Sequence, residues 1–146
     1  MNFRISRIVM VAAVALVFGS AVYGQEINVR ARVPFDFVLG DKAYPAGQYS
    51  VQTANANTYF LSVKNNEDKT TQGLTPSRPC ISSKPTGPAN EAKLVFHRVG
   101  NTYFLFRVWV GGSTVGREFP ISHRERLMAI SGLKTETVIV AAKIVR

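Results

Sequence analysis

The chain has 146 residues, 46% hydrophobic and 18% charged, which fits one folded domain and excludes a disordered chain. One cysteine and two histidines exclude a disulfide framework and a structural zinc cluster. With 18 Lys and Arg against 9 Asp and Glu, the formal charge of +9 invites a nucleic-acid reading, to be decided by where the charges fall.

Arg4 and Arg7 precede an uncharged run over residues 8–18, followed by small residues and Val22-Tyr23-Gly24. This is the pattern of a secretory signal peptide over residues 1–24, cleaved after Gly24 or, as the alternative, after Ala21. The apolar run is shorter than the roughly 18 to 20 residues that span a bilayer, so an uncleaved anchor is the weaker reading. No cysteine lies near either site, which argues against a lipid-modified N-terminus. Removing residues 1–24 takes away two arginines and no acid, so 16 cations minus 9 acids leaves +7 on a single domain of residues 25–146. A domain of that size buries a core without staples, and no transmembrane segment remains in it.

From residue 27 the pattern has period two. Val29, Ala31, Val33, Phe35 and Phe37 fall on one face, and Arg30, Arg32, Pro34 and Asp36 on the other, as in a half-buried strand. Pro34 cannot donate to a ladder and places this strand at an edge or a bulge. Gly40-Asp41 begins a turn, and Tyr44-Pro45-Ala46-Gly47 fits a type I turn with Gly47 left-handed, leading into a strand over 48–53. After the polar turn Asn55-Ala56-Asn57 a third strand covers 58–64. Residues 65–92 hold Pro76, Pro79, Pro85 and Pro88 and read as loop, with one short edge strand around 71–75 or 80–82.

Residues 93–99 and 102–110 flank Gly100-Asn101, a two-residue hairpin loop. The implied register pairs Arg98 with Tyr103, Phe96 with Leu105 and Leu94 with Arg107 on one face, and His97 with Phe104 and Val95 with Phe106 on the other. Both faces are apolar, which puts the hairpin at the centre of the domain. Residues 111–120 read as a second loop. Ser122 and Glu125 form a capping box that starts a short helix running to about Ile130 and ending near Gly132. The Val- and Ile-rich run over 135–145 is a last strand, returning to the first strand or to the central hairpin. The expected fold is all-β, an antiparallel meander forming a sandwich or small barrel with one short C-terminal helix. An outer-membrane barrel is the rival, and the doubly apolar central hairpin argues against it.

Val33-Pro34-Phe35-Asp36-Phe37 with Gly40-Asp41 and Pro45-Ala46-Gly47-Gln48-Tyr49, then Leu94-Val95-Phe96-His97-Arg98 with Gly100 and Tyr103-Phe104-Leu105, carry a resemblance. The chain resembles a group of small exported β-rich proteins of soil-type bacteria to which no activity is assigned. The likeness extends to Gly116-Arg117-Glu118 and the helix after Pro120. It rests on turn and core residues, and what it implies is the fold and export alone.

The chemistry-bearing residues are few. His97 and His123 are of the residue type that most often serves as a general base, yet no nucleophile signature such as Gly-x-Ser-x-Gly accompanies them, and a structural role for His97 inside an apolar hairpin is the simpler reading. No metal site, cofactor or catalytic residue is expected. Cys80, in the Pro-rich stretch, is a lone exported thiol. Asp36, Asp41, Glu118 and Glu125 offer carboxylates at no fixed separation, and turn and cap duties already account for Asp41 and Glu125. The most suggestive constellation interleaves arginine with aromatics: Arg98, Tyr103, Arg107 and Trp109 on one face of the hairpin, with Arg30 and Arg32 on the first strand. Such sets bind polymers by charge, stacking and cation-π contact. The competing reading is that they pack.

The cations of the mature domain are spread singly along the sequence, which argues against nucleic acid. The expected function is therefore an exported, periplasmic or extracellular, non-catalytic binding or envelope-associated protein, its partner an anionic or carbohydrate polymer. The alternatives are an exported hydrolase using His97 with Asp36 or Glu118, and a lipocalin-like carrier of a small apolar ligand.

Overall fold

The computed structural model describes residues 26–54 and 57–146. The expected signal segment, residues 1–24, lies outside the described residues, as do two of the three residues of the turn expected at 55–57. In chain order the elements are β1 (Asn28–Val33), β2 (Phe37–Leu39), β3 (Lys42–Tyr44), β4 (Gly47–Ala54), β5 (Asn57–Asn65), β6 (Gln72–Pro76), β7 (Arg78–Ile81), β8 (Glu91–Val99), β9 (Thr102–Val110), β10 (Val115–Glu118), α1 (His123–Ile130) and β11 (Thr135–Ile144). The protein is all-β with one short helix.

The strands form a single sheet in the order β3-β2-β9-β8-β11-β1-β4-β5-β6, with β10 added to β9 and β7 to β10. Every pairing among the described residues is antiparallel except β2 with β9. The sheet curls into an open half-barrel. Its two ends are bridged by side chains, with no ladder between them: the Lys42 Nζ donates to the Gln72 carbonyl at 2.5 Å, and the Tyr44 hydroxyl lies where a side chain on Gly73 would stand.

The core is supplied by β1 to β5, β8, β9 and β11. Phe37 packs its ring against Tyr44 at 5.2 Å, Tyr49 at 5.0 Å and Phe96 at 5.4 Å, and Phe35 stacks on Tyr103 at 3.8 Å. These rings fill the inside of the curl, where Val29, Val33, Val51, Leu61, Val63 and Leu94 join them. A second, smaller cluster on the outer face gathers Val38, Val99 and Phe104 under Met128 of α1.

Several local expectations are corrected. β1 is an interior strand, between β11 and β4, and it ends at Val33 because Pro34 cannot extend the ladder. Phe37 therefore belongs to a separate strand. Gly47 is not left-handed; it pairs with Val33 at the start of β4, and the glycines with positive φ include Gly40 and Gly100. The stretch 65–92 holds two strands, β6 and β7, and the expected loop after Gly111 holds β10. The last strand pairs with both partners weighed for it, β1 and β8.

The hairpin register holds from the turn to Phe96 and Leu105, then shifts. Phe106 is an extra residue on β9, so Leu94 pairs with Val108 and Val95 with Arg107. Since strand residues alternate between faces, the bulge turns Arg107 and Trp109 to the face opposite Arg98 and Tyr103. The expectation that these four share a face is overturned.

Candidate functional site

Each expected site residue has a definite place. Arg98 stays near the hairpin turn, its guanidinium 5.7 Å from the Tyr103 ring centroid and its Nε donating to the Gly100 carbonyl at 3.1 Å. Arg107 lies over Phe106 at 4.4 Å and is held by Glu118, Nε to Oε2 at 2.7 Å. Trp109 is buried against Gly116, where an added Cβ would stand 2.5 Å from the indole. Arg30 and Arg32 point outward from β1, exposed. The hairpin residues and the β1 arginines form no common site, since β11 lies between β1 and β8, which carries Arg98, and both β11 and β8 lie between β1 and β9, which carries Tyr103, Arg107 and Trp109.

Sheet order instead brings other cations to Arg30. On the outer face the register aligns Lys64, Ser50, Arg30, Lys143 and Glu91 in one row across β5, β4, β1, β11 and β8. The neighbouring positions are Gln48 opposite Arg32, and Ala141 opposite Lys93. A groove of about 810 Å³ runs along this surface, lined by Arg30, Arg32, Gln48, Glu91, Lys143 and Arg146. Arg32 has a long, exposed contact with Glu67 at 3.4 Å, a kind of pair that holds little. Arg30, Lys143 and Arg146 have no carboxylate partner among the described residues.

Arg30 and Lys143 thus face each other directly on adjacent strands. Like charges so placed destabilise a sheet. Parity along β1 exposes Arg30 and Arg32 to sequence reading, but Lys143 and Lys64 join them only through pairings that no local pattern encodes.

The other chemistry is differently arranged. The His97 Nδ1 is 2.6 Å from Glu125 Oε1, with the ring 3.9 Å from Phe106. Glu125 therefore serves His97, and only Ser122 caps α1, its Oγ accepting from the Glu125 amide at 3.1 Å. Both acids weighed as partners for His97 are engaged elsewhere: Asp36 Oδ1 accepts from the Ala46 amide at 2.8 Å, and Glu118 lies between Arg78 and Arg107. No serine, threonine or cysteine is hydrogen-bonded to His97 among the described residues. No group of three His, Cys, Asp or Glu that could hold a metal occurs there either. His123 is exposed at the start of α1. Cys80 is unpaired on β7, and burial pushes its thiol up, away from the reactive thiolate.

No described helix is long and apolar enough to cross a membrane. Comparison with protein-family models, with curated proteins and with solved structures returned no match. The functional reading therefore rests on the geometry of this chain.

Proposed function

We propose that the protein is exported and non-catalytic, and that it holds an anionic polymer of the cell envelope on the outer face of β5, β4, β1 and β11. The observation that carries this reading is the row of Lys64, Arg30 and Lys143, continued by Arg146, in which the one carboxylate, Glu91 opposite Lys143, forms no ion pair among the described residues. Three inter-strand spacings separate Lys64 from Lys143, about 14 Å, which suits an extended chain better than a single small anion. Arg32 and Gln48 add donors along the groove. Export follows from the pattern of residues 1–24. The apolar-carrier reading gains no support, because aromatic rings occupy the inside of the curl.

The chain from Gln25 onward keeps every described strand and core residue and is the form to test. It should bind alginate, a uronate polymer, and leave neutral dextran unbound, with affinity falling as salt screens the charges. Arg30→Gln with Lys143→Gln should weaken alginate binding about tenfold or more, roughly 1.4 kcal/mol. Equal binding to dextran, or no effect of the double variant, would overturn the reading.

The His97–Glu125 contact favours a second reading, an exported hydrolase in which Glu125 orients His97 as a base. It predicts ester hydrolysis that disappears in His97→Ala. Without a hydroxyl or thiol on the ring's other nitrogen, it stands behind the first.

A further inference from the structure

The exposed large apolar residues are unevenly distributed. Of the nine among the described residues, Ile121, Leu127, Ile130 and Leu133 fall on α1 and its flanks, with Ile130 81% and Leu127 54% exposed. Eight helical residues give just over two turns, and Glu125 and Met128 face the sheet, one bound to His97 and the other on Val38, Val99 and Phe104. The helical repeat then sets Leu127 and Ile130 on the opposite side, with Arg124 and Arg126 flanking them. Lys134 follows at the end of this surface but is paired with Glu136 at 3.3 Å, so the charge of the surface is carried by Arg124 and Arg126. The one acid of the helix is turned inward, so the outward side combines apolar crest and positive charge.

We propose that this surface docks on an anionic lipid bilayer. Apolar side chains flanked by two arginines match the boundary between acyl chains and negative headgroups. A second copy of the chain is the poorer fit, because a symmetric contact through α1 would bring Arg124 and Arg126 of both copies together. A soluble polyanion leaves Leu127 and Ile130 without a partner. The surface is also separate from the cation row: His97, beneath α1, and Glu91, in the groove, are six residues apart on β8, roughly 20 Å. The proposal therefore stands independently of polymer binding, and it would let one molecule hold a polymer against a membrane.

The test is co-sedimentation of the chain from Gln25 onward with vesicles of phosphatidylcholine alone, or of phosphatidylcholine carrying about one-third phosphatidylglycerol. Binding is expected only to the anionic vesicles. Leu127→Gln with Ile130→Gln should reduce it about tenfold or more, as expected when two large apolar side chains lose their burial. Arg124→Gln with Arg126→Gln should reduce it about tenfold, and added salt should mimic that loss. All four side chains are exposed, so the melting curves of these variants should match that of the parent. Arg30→Gln with Lys143→Gln should retain vesicle binding, which separates failure here from failure of the polymer reading. Equal binding to neutral vesicles, indifference to the Leu127 and Ile130 changes, or a dimer that those changes dissociate would each overturn the proposal.

Discussion

Arg117 and Glu118, adjacent on β10, face opposite sides of the sheet and meet opposite fates. Burial alone pushes the Glu118 carboxyl up, but the hydrogen bonds and charges of Arg78 and Arg107 outweigh it and hold the group below its ordinary value. A carboxyl whose pKa is lower in the folded state adds stability above its unfolded pKa, about 4.3, and loses that contribution as pH falls through the folded value. Glu118→Gln should therefore cost about 1 to 2 kcal/mol at neutral pH, the low end for a buried charge, since Arg78 can turn to water. Urea midpoints should show the gap closing below about pH 4; a gap that stays constant with pH would count against the arginine clamp. Arg117 is the reverse case. Its Nη2 is buried with no hydrogen-bond partner among the described residues, and burial lowers the pKa of its guanidinium. Met keeps the apolar stem and removes the desolvated charge, so Arg117→Met should raise Tm by a few degrees, corresponding to about 1 kcal/mol. A lower Tm in a thermal melt would mean that the guanidinium is better satisfied than its contacts indicate.

At the scale of elements, the two ends of the sheet meet at one crowded point. A Cβ on Gly73 would collide with the Tyr44 hydroxyl, whereas the ring carbon behind that hydroxyl would stand at 3.4 Å, an ordinary contact. Gly73→Ala should cost about 1 to 3 kcal/mol by overpacking, and Tyr44→Phe should restore most of it. Additive losses in a double-mutant cycle would show that the hydroxyl is not the obstacle. The same scale shows what local sequence can encode. The pairs Arg98 with Tyr103 and His97 with Phe104 were legible because a two-residue loop at Gly100-Asn101 fixes the register beside it. The bulge at Phe106 was not, because no glycine or proline marks it. It follows from tertiary demands, Val108 packing into the core and Arg107 reaching Glu118. One short edge strand is legible at 71–75 or 80–82, but that both β6 and β7 form, and β10 with them, is not: they are short, contain glycine or proline, and owe their strand geometry to neighbours that sequence does not name. The helix start was read correctly from Ser122, but the role of Glu125 was not, since its partner His97 is 28 residues away.

For the whole molecule, charge that is dispersed along the sequence becomes concentrated when the sheet forms. Lys64, Arg30 and Lys143 come from the first half and the far end of the chain, and only the pairings of β5 with β4, β4 with β1 and β1 with β11 align them. Arg30 and Arg32 could be nominated from strand parity alone; the rest of the row required the sheet order. This arrangement separates a functional from a structural role for Arg30, because the two roles predict opposite signs. If Arg30 serves only the fold, changing it should be neutral or destabilising. If the row exists to hold an anion, the fold carries the repulsion between Arg30 and Lys143 as an unrelieved cost. Arg30→Glu converts that like pair into an attractive one and should stabilise the free protein by a few tenths of a kcal/mol, about one or two degrees in Tm. It should at the same time weaken alginate binding by more than about tenfold, since one charge is reversed and not merely removed. Salt provides the control. Screening should raise the melting temperature of the parent slightly and lower that of Arg30→Glu, because repulsion is damped in one and attraction in the other. A variant that melts lower at low salt while binding alginate as before would assign Arg30 to the fold and leave the row without a ligand.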